Sequence, residues 1–193
     1  MGNDEEAATK IYSLNDCKFI KYIKNTYDIA IYFLLMWYNK NNNKYYIIQF
    51  GNKKILINNL LEDELYSELI NKPEDKHYSG LIYSQGNKDY LCSSSINGYI
   101  NIWDLYDKKI YKTINTNGCK LAHIINWNRK YIIVSDVNNK LFKIIDIENN
   151  SIYDIKKNHM CTLFCIKKIN HPIYGESLLS TGRDKVIKFL AIE

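Results

Sequence analysis

The sequence predicts an all-β protein: a β-propeller of four-stranded antiparallel blades, about three of them complete, with a partial blade at each end. Three observations carry this. Residues 93–105, Ser-Ser-Ser-Ile-Asn-Gly-Tyr-Ile-Asn-Ile-Trp-Asp-Leu, read as a strand, a tight Asn-Gly turn and a second strand ending in Trp103-Asp104. Weaker copies recur along the chain. With Ser13, Asn59, Asp104, Asp146 and Ala191 in register, the successive intervals are 46, 45, 42 and 45 residues. A period of roughly 40–45 residues with several short strands per unit is that of propeller blades and not the ~34 of helical arrays. Finally, a chain of 193 residues with 46% hydrophobic and 13% aromatic residues is long and apolar enough for one well-buried domain.

The propeller is expected over residues 10–193, preceded by an acidic tail at 1–9 that is expected to be disordered. The clearest blade covers 77–114, with strands a to d at 78–83, 89–95, 99–105 and 109–114. The next covers 119–155, with strands at 121–127, 131–135, 141–147 and 151–155. Asn97-Gly98 and Asn138-Asn139-Lys140 fall in the b–c turns, where residues that tolerate positive φ are wanted. The first full blade, 27–70, is more degenerate: strands at 27–37, 45–50, 54–58 and 65–70. Its last segment reads equally as a helix capped by Asn59 with Leu61, Leu65 and Leu69 on one face, so residues 59–70 are left open between strand and helix. Residues 10–24 match strands c and d only, and residues 159–192 match a, b and c. Completion of the ring by further blades or by another chain is the expectation.

These features resemble the WD-repeat β-propeller family over nearly all of residues 10–192. The resemblance implies buried polar contacts among a His before strand a, a Ser or Thr in strand b, an Asp in the b–c turn and the Trp of strand c. In the best blade the similar positions are His77, Ser93, Asn97 and Trp103, with Asn in place of the Asp and Asp104 following the Trp. In the last, His159, Ser180 and Asp184 match, and Leu190 stands where the Trp would be. Between them, Ser135 and Asn139 match, Ile145 replaces the Trp, and Asp146 follows it. Read this way, these residues pin strands together and form no reactive site.

Composition narrows the function. The net charge of +5 and pI near 8.8 fall short of the pI of about 9 or more expected of a nucleic-acid domain. The Lys-Lys pairs at 53–54, 108–109, 156–157 and 167–168 read as solvated turns. The start of the chain is acidic and the most apolar run, 29–38, is half of what a membrane span needs, so a soluble protein of the cytoplasm, or else the nucleus, is expected. Five scattered cysteines argue against disulfides. On a strand over 160–169, Cys161 and Cys165 would lie about 13 Å apart, too far for one zinc, so buried structural thiols and no metal are expected. Of the histidines, His123 is placed on an inner strand and His171 in a solvated a–b loop. No nucleophile elbow, P-loop, dinucleotide fingerprint or helical zinc motif is present; no enzyme activity and no cofactor are expected.

The predicted function is a non-catalytic scaffold that binds other proteins within a multi-subunit complex, using loops on the propeller faces. The end formed by b–c and d–a turns would present Asn97, Tyr99, Asn117, Asn139, Arg183 and Lys185 to a partner. The alternative is an RNA-binding propeller of a ribonucleoprotein, for which steep salt dependence is the discriminating property. A third reading, a degenerate array with no stable fold alone, predicts aggregation through open sheet edges.

Overall fold

The computed structural model describes residues 8–24, 31–51, 53–62, 64–70, 76–155, 159–160 and 162–191. Among them are seventeen strands and no helix: β1 Ala8–Tyr12, β2 Phe19–Lys24, β3 Phe33–Asn39, β4 Lys44–Phe50, β5 Ile55–Asn59, β6 Leu65–Leu69, β7 His77–Gln85, β8 Lys88–Ser95, β9 Tyr99–Asp104, β10 Lys109–Asn115, β11 Leu121–Asn126, β12 Tyr131–Asp136, β13 Leu141–Asp146, β14 Ile152–Ile155, β15 Leu163–His171, β16 Gly175–Gly182 and β17 Ile187–Ala191. Consecutive strands pair antiparallel into a two-stranded sheet (β1–β2), three four-stranded sheets (β3–β6, β7–β10, β11–β14) and a three-stranded sheet (β15–β17). The first strands of neighbouring sheets, β3, β7, β11 and β15, pack against one another in that order and form the inner side of the molecule.

The β7–β10 and β11–β14 sheets lie between neighbours on both faces, which explains why strands β8, β9 and β12 are almost wholly covered, without alternation. Alternate residues serve different cores. Leu91 joins Trp103 and Leu105 in a cluster with Trp37, Tyr46, Ile48, Phe50 and Ile57 of the preceding sheet. Its neighbour Cys92 faces the other way, with Ile100 and Ile102, onto Ile124, Ile132, Val134 and Ile145 of the following sheet. A third cluster joins Ile133 and Phe142 to Leu163, Ile166 and Leu178. Close approach of sheets is set by Gly80 on β7: a Cβ there would run into the Phe50 ring and stand 2.8 Å from the Cys92 carbonyl oxygen.

Residues 65–69 are strand and not helix. β6 pairs with β5, Leu69 opposite Ile55 and Leu65 opposite Asn58. Leu69 is buried, whereas Leu61 and Leu65 are exposed, so the three leucines form no stripe. Asn59 does cap, but what it caps is a tight turn, accepting the Leu61 and Glu62 N–H groups at 2.9 and 3.3 Å. Strand β1 begins at Ala8, inside the segment expected to be disordered, and Thr9 is held there by Gln49, whose Nε2 donates to its hydroxyl at 2.8 Å. The strand expected over 27–37 runs instead from Phe33 to Asn39; residues 25–30, the tail residues 1–7 and Cys161 lie outside the described residues. Cys165 is exposed where a buried thiol was expected, because strand alternation gives the inward position to Ile166.

Replacing Gly80 by Ala is expected to destabilise the protein by about 1–3 kcal/mol through overpacking against Phe50, read as a lower midpoint in urea. A Gly86→Ala control meets open space and costs only its left-handed backbone, so it should lose less.

Candidate interaction face and its supporting polar contacts

Antiparallel meanders send the d–a loops and b–c turns of every sheet to one end and the a–b and c–d turns to the other. At the first end, turn and loop are tied by backbone bonds: Thr116 N–H to Gly98 C=O, Val137 N–H to Lys120 C=O and Arg183 N–H to Thr162 C=O, each 2.8 Å. Gly98 takes φ +81, and a Cβ there would meet the Cys119 backbone at 2.8 Å, so this turn requires glycine. Lys140 and Lys185 sit at the matching turn position with φ 58 and 59. This end carries all six residues expected to meet a partner. Asn97, Asn117, Asn139, Arg183 and Lys185 are exposed and Tyr99 is half-buried. They stand on three consecutive sheets. Asn139 donates from Nδ2 to Asp136 at 2.9 Å.

Behind this face lie the strand-pinning residues. Trp103 Nε1 donates to Ser93 Oγ at 3.0 Å, and His77, fully buried, lies with its ring 6.5 Å from that indole. In the last sheet, His159 Nε2 is 2.8 Å from Ser180 Oγ and its Nδ1 is 2.9 Å from Asp184 Oδ2. Burial alone would raise the Asp184 carboxyl, but His159 and the Met160 and Val186 amides hold it below the usual carboxylate range. The chain of contacts has the order of a nucleophile, a base and an orienting acid. Ser180 and His159, however, are only 1% and 3% exposed, so no substrate carbonyl reaches the hydroxyl. In the sheet between, Ser135 turns to the backbone of His123, accepting its N–H at 2.9 Å, while Ile145 fills the Trp position. His123 is on inner strand β11, where burial lowers its pKa.

The opposite end holds a repeated clasp that the sequence reading missed. Four of the five aligned positions cap their c–d turn through a side-chain oxygen. Ser13 accepts from Asn15 at 3.3 Å and Asn59 from Leu61 at 2.9 Å. Asp104 accepts from Tyr106 and Asp107 at 2.9 and 3.0 Å, and Asp146 from Glu148 and Asn149 at 2.9 and 3.0 Å. At three of them a lysine beside the a–b turn adds a clasp: Lys44 to Glu62 of the Asn59 turn at 2.6 Å, Lys88 to Asp104 at 2.6 Å, Lys130 to Asp146 at 3.1 Å. Burial would raise the Asp146 carboxyl; the Asn149 backbone, Lys130 and the Glu148 amide together bring it down to about 2. The available signal was a lysine 15 or 16 residues before each aligned Asn or Asp.

Of the lysine pairs, that at 156–157 lies outside the described residues, and one member of each other pair is engaged rather than simply solvated. Lys54 is buried against Glu68 at 2.8 Å, Lys108 lies 3.9 Å from the centre of the Tyr66 ring, and Lys168 donates to the Trp127 carbonyl at 2.6 Å over its indole. Their long stems cover apolar surface that the twisted sheets leave bare. His171 is likewise half-buried and caps its turn, Nδ1 accepting from Ile173 at 3.2 Å.

One carboxylate bridges two sheets. Asp89 on β8 accepts from the Trp37 indole of the preceding sheet at 3.0 Å, from Tyr106 at 2.9 Å and from Ser84 at 2.6 Å. Its burial would raise the carboxyl, but those three donors and Lys40 keep it below the usual range. Burial and the Asp89 carboxylate push Tyr106 up to about 12, so the phenol stays a donor.

No protein-family model matches the chain, and no curated protein matches its sequence. Solved structures do match. U3-55K superposes with a TM-score of 0.77 at 13% identity, over 96% of this chain and 55% of that one. A chain of the Chaetomium thermophilum polycomb repressive complex 2 gives 0.70 at 13% identity, over 86% of this chain and 37% of that one. It shares the fold of WD-repeat propellers. The computationally designed Ika4 protein gives 0.61 at 14% identity, covering 86% of this chain and 94% of that one. This chain thus spans little more than half of U3-55K and well under half of the polycomb chain. At 13–14% identity the likeness concerns the fold alone. The described sheets form three four-stranded blades, a three-stranded blade and a two-stranded one.

Two outcomes are expected of the blade contacts. Trp103→Phe removes the indole donor to Ser93 and should cost about 1–2 kcal/mol, measured by urea denaturation. Asp89, Asp104, Asp136, Asp146 and Asp184 all have lowered pKa values. Their contribution is therefore fully present above the unfolded carboxylate pKa of about 3.9 and lost as pH falls through the folded values. Denaturation midpoints should be flat from neutrality to about pH 4 and drop below it, and Asp89→Asn should shallow that drop while lowering the neutral plateau.

Proposed function

We propose that this chain is a non-catalytic scaffold that holds other proteins through the end where b–c turns and d–a loops meet. The observation that carries this is a face both rigid and exposed. Three 2.8 Å backbone bonds lock turn to loop, while Arg183, Lys185, Asn97 and Asn117 project beside a half-buried Tyr99. Rigid loops lose little entropy on association, and Tyr and Arg are frequent interface anchors. The sealed Ser180–His159–Asp184 chain supports a structural, non-catalytic role. A chain matched in fold belongs by description to a complex, polycomb repressive complex 2, which supports membership of a multi-subunit assembly. Cys92 and Cys119 are unbridged thiols, in keeping with the reducing cytoplasm or nucleus.

Two further surfaces fit contact with additional blades or another chain. Leu34, Met36 and Tyr38 on β3 are exposed on the face opposite the one that packs on β7, as are Ile187 and Phe189 on β17.

A second reading, polyanion binding such as RNA, is favoured by the net charge of +5 and by Arg183 and Lys185 on one turn. Salt separates the two. The Tyr99→Ala/Arg183→Ala double variant should keep its circular dichroism and melting temperature and lose about 10–100-fold in affinity for co-purified protein partners. Binding should change little between about 0.1 and 0.5 M salt; a steep log–log fall across that range would replace the protein-scaffold reading with the polyanion one.

A further inference from the structure

A cleft of about 860 Å³ opens between blades β7–β10 and β11–β14, at the a–b/c–d end, opposite the face just discussed. Tyr83, Gln85, Tyr111, Asn126, Arg129 and Glu148 line it. Its walls are preformed. Asn128 Oδ1 accepts from the Lys130 and Tyr131 N–H groups, both at 2.9 Å, and so fixes the turn that carries Arg129. The Asp146 cap fixes Glu148. Lys112 reaches across from the neighbouring blade to the Ile147 and Glu148 carbonyls, at 2.7 and 3.1 Å. Tyr83 stacks on Tyr90 at 5.4 Å, and Tyr90 contacts Tyr111 at 5.1 Å.

The charged side chains around this cleft divide into engaged and unengaged ones. Lys88, Lys130 and Lys143 are each paired with a carboxylate, and Lys112 is spent on carbonyls. Arg129 makes no ion pair or hydrogen bond among the described residues, nor does the Glu148 carboxylate, though both line one cleft. Arg129, Gln85, Asn126, Glu148 and Tyr111 are all exposed there. The two primary amides each offer a donor beside an acceptor, which is the pattern of a peptide unit. From β7 to β10 is three strand spacings of about 4.8 Å, roughly 14 Å, which an extended chain covers in about four residues. A lone guanidinium gives a polyanion little to hold.

We infer that this cleft receives an extended peptide segment of a partner protein, with an acidic side chain on Arg129 and an apolar or aromatic one against Tyr83 and Tyr111. Arg129 supplies a charge-assisted, bidentate contact, the tyrosines supply stacking area, and Gln85 and Asn126 meet the peptide backbone. The site is separate from the Tyr99 and Arg183 face and stands or falls independently of it.

The test is a displayed library of eight-residue peptides selected against the full chain. Enriched sequences should share an acidic residue near an aromatic or large aliphatic one. Synthetic versions should bind at least about tenfold more weakly to Arg129→Ala and to Tyr111→Ala. Lys109→Ala, which removes an exposed positive charge outside the cleft, should bind like wild type. Because Arg129 and Tyr111 are exposed, melting temperatures should hold; a charge exchange, Arg129→Glu with Lys replacing the peptide acid, should restore binding and so separates contact from misfolding. No enrichment, or enrichment unaffected by Arg129→Ala, overturns the inference. So does displacement of the peptides by single-stranded RNA with a steep salt slope, which would make the cleft a polyanion site.

Discussion

Burial of sheet faces between successive blades is the constraint on which the rest of this protein depends. A single twisted four-stranded sheet has two faces and no interior, so each blade acquires a core only from its neighbours. Blade β7–β10 is the clearest case, with Leu91 and Trp103 completing one core and Cys92, Ile100 and Ile102 the other. The close approach at Gly80 and the Asp89 carboxylate, which takes its indole donor from the preceding blade, then set how those sheets lie on one another. Rigidity at the exposed ends follows, because loops inherit their positions from strands that cannot shift.

The two ends of the sheets use polar groups differently. At the b–c/d–a end, backbone bonds hold the loops, and the side chains of Arg183 and Lys185 are exposed. At the other end, side-chain oxygens at Ser13, Asn59, Asp104 and Asp146 are consumed in capping turns, and lysines are consumed in closing them. Arg129 is conspicuous against that background because its neighbours in sequence, Asn128 and Lys130, both have structural partners.

The blade architecture was readable because it has a period: an Asn-Gly turn, a Trp-Asp strand end and intervals of 42–46 residues locate strands without reference to packing. What was not readable depended on the third dimension. Local spacing could not separate strand from helix at 59–70, since the Asn59 cap is common to a turn and a helix start; pairing with β5 decided it. Lysines look alike in sequence whether solvated or, like Lys54, enclosed with a glutamate fourteen residues away. The strand-pinning residues were visible one blade at a time, but Asp89 was not, because its donor Trp37 is contributed by a different blade. The cleft at Arg129 was hidden for the same reason, its walls being two blades that meet only in the folded chain.

Alternating allegiance of residues within a strand has a consequence for how such a chain can change. In β8, Leu91 and Cys92 answer to different cores, so deleting one residue from the strand would hand each side chain to the wrong neighbour and exchange the two interiors at once. Substitutions there can be absorbed one at a time; changes of length cannot. A change of length at a turn leaves both interiors in place, because the turns lie outside the buried strands.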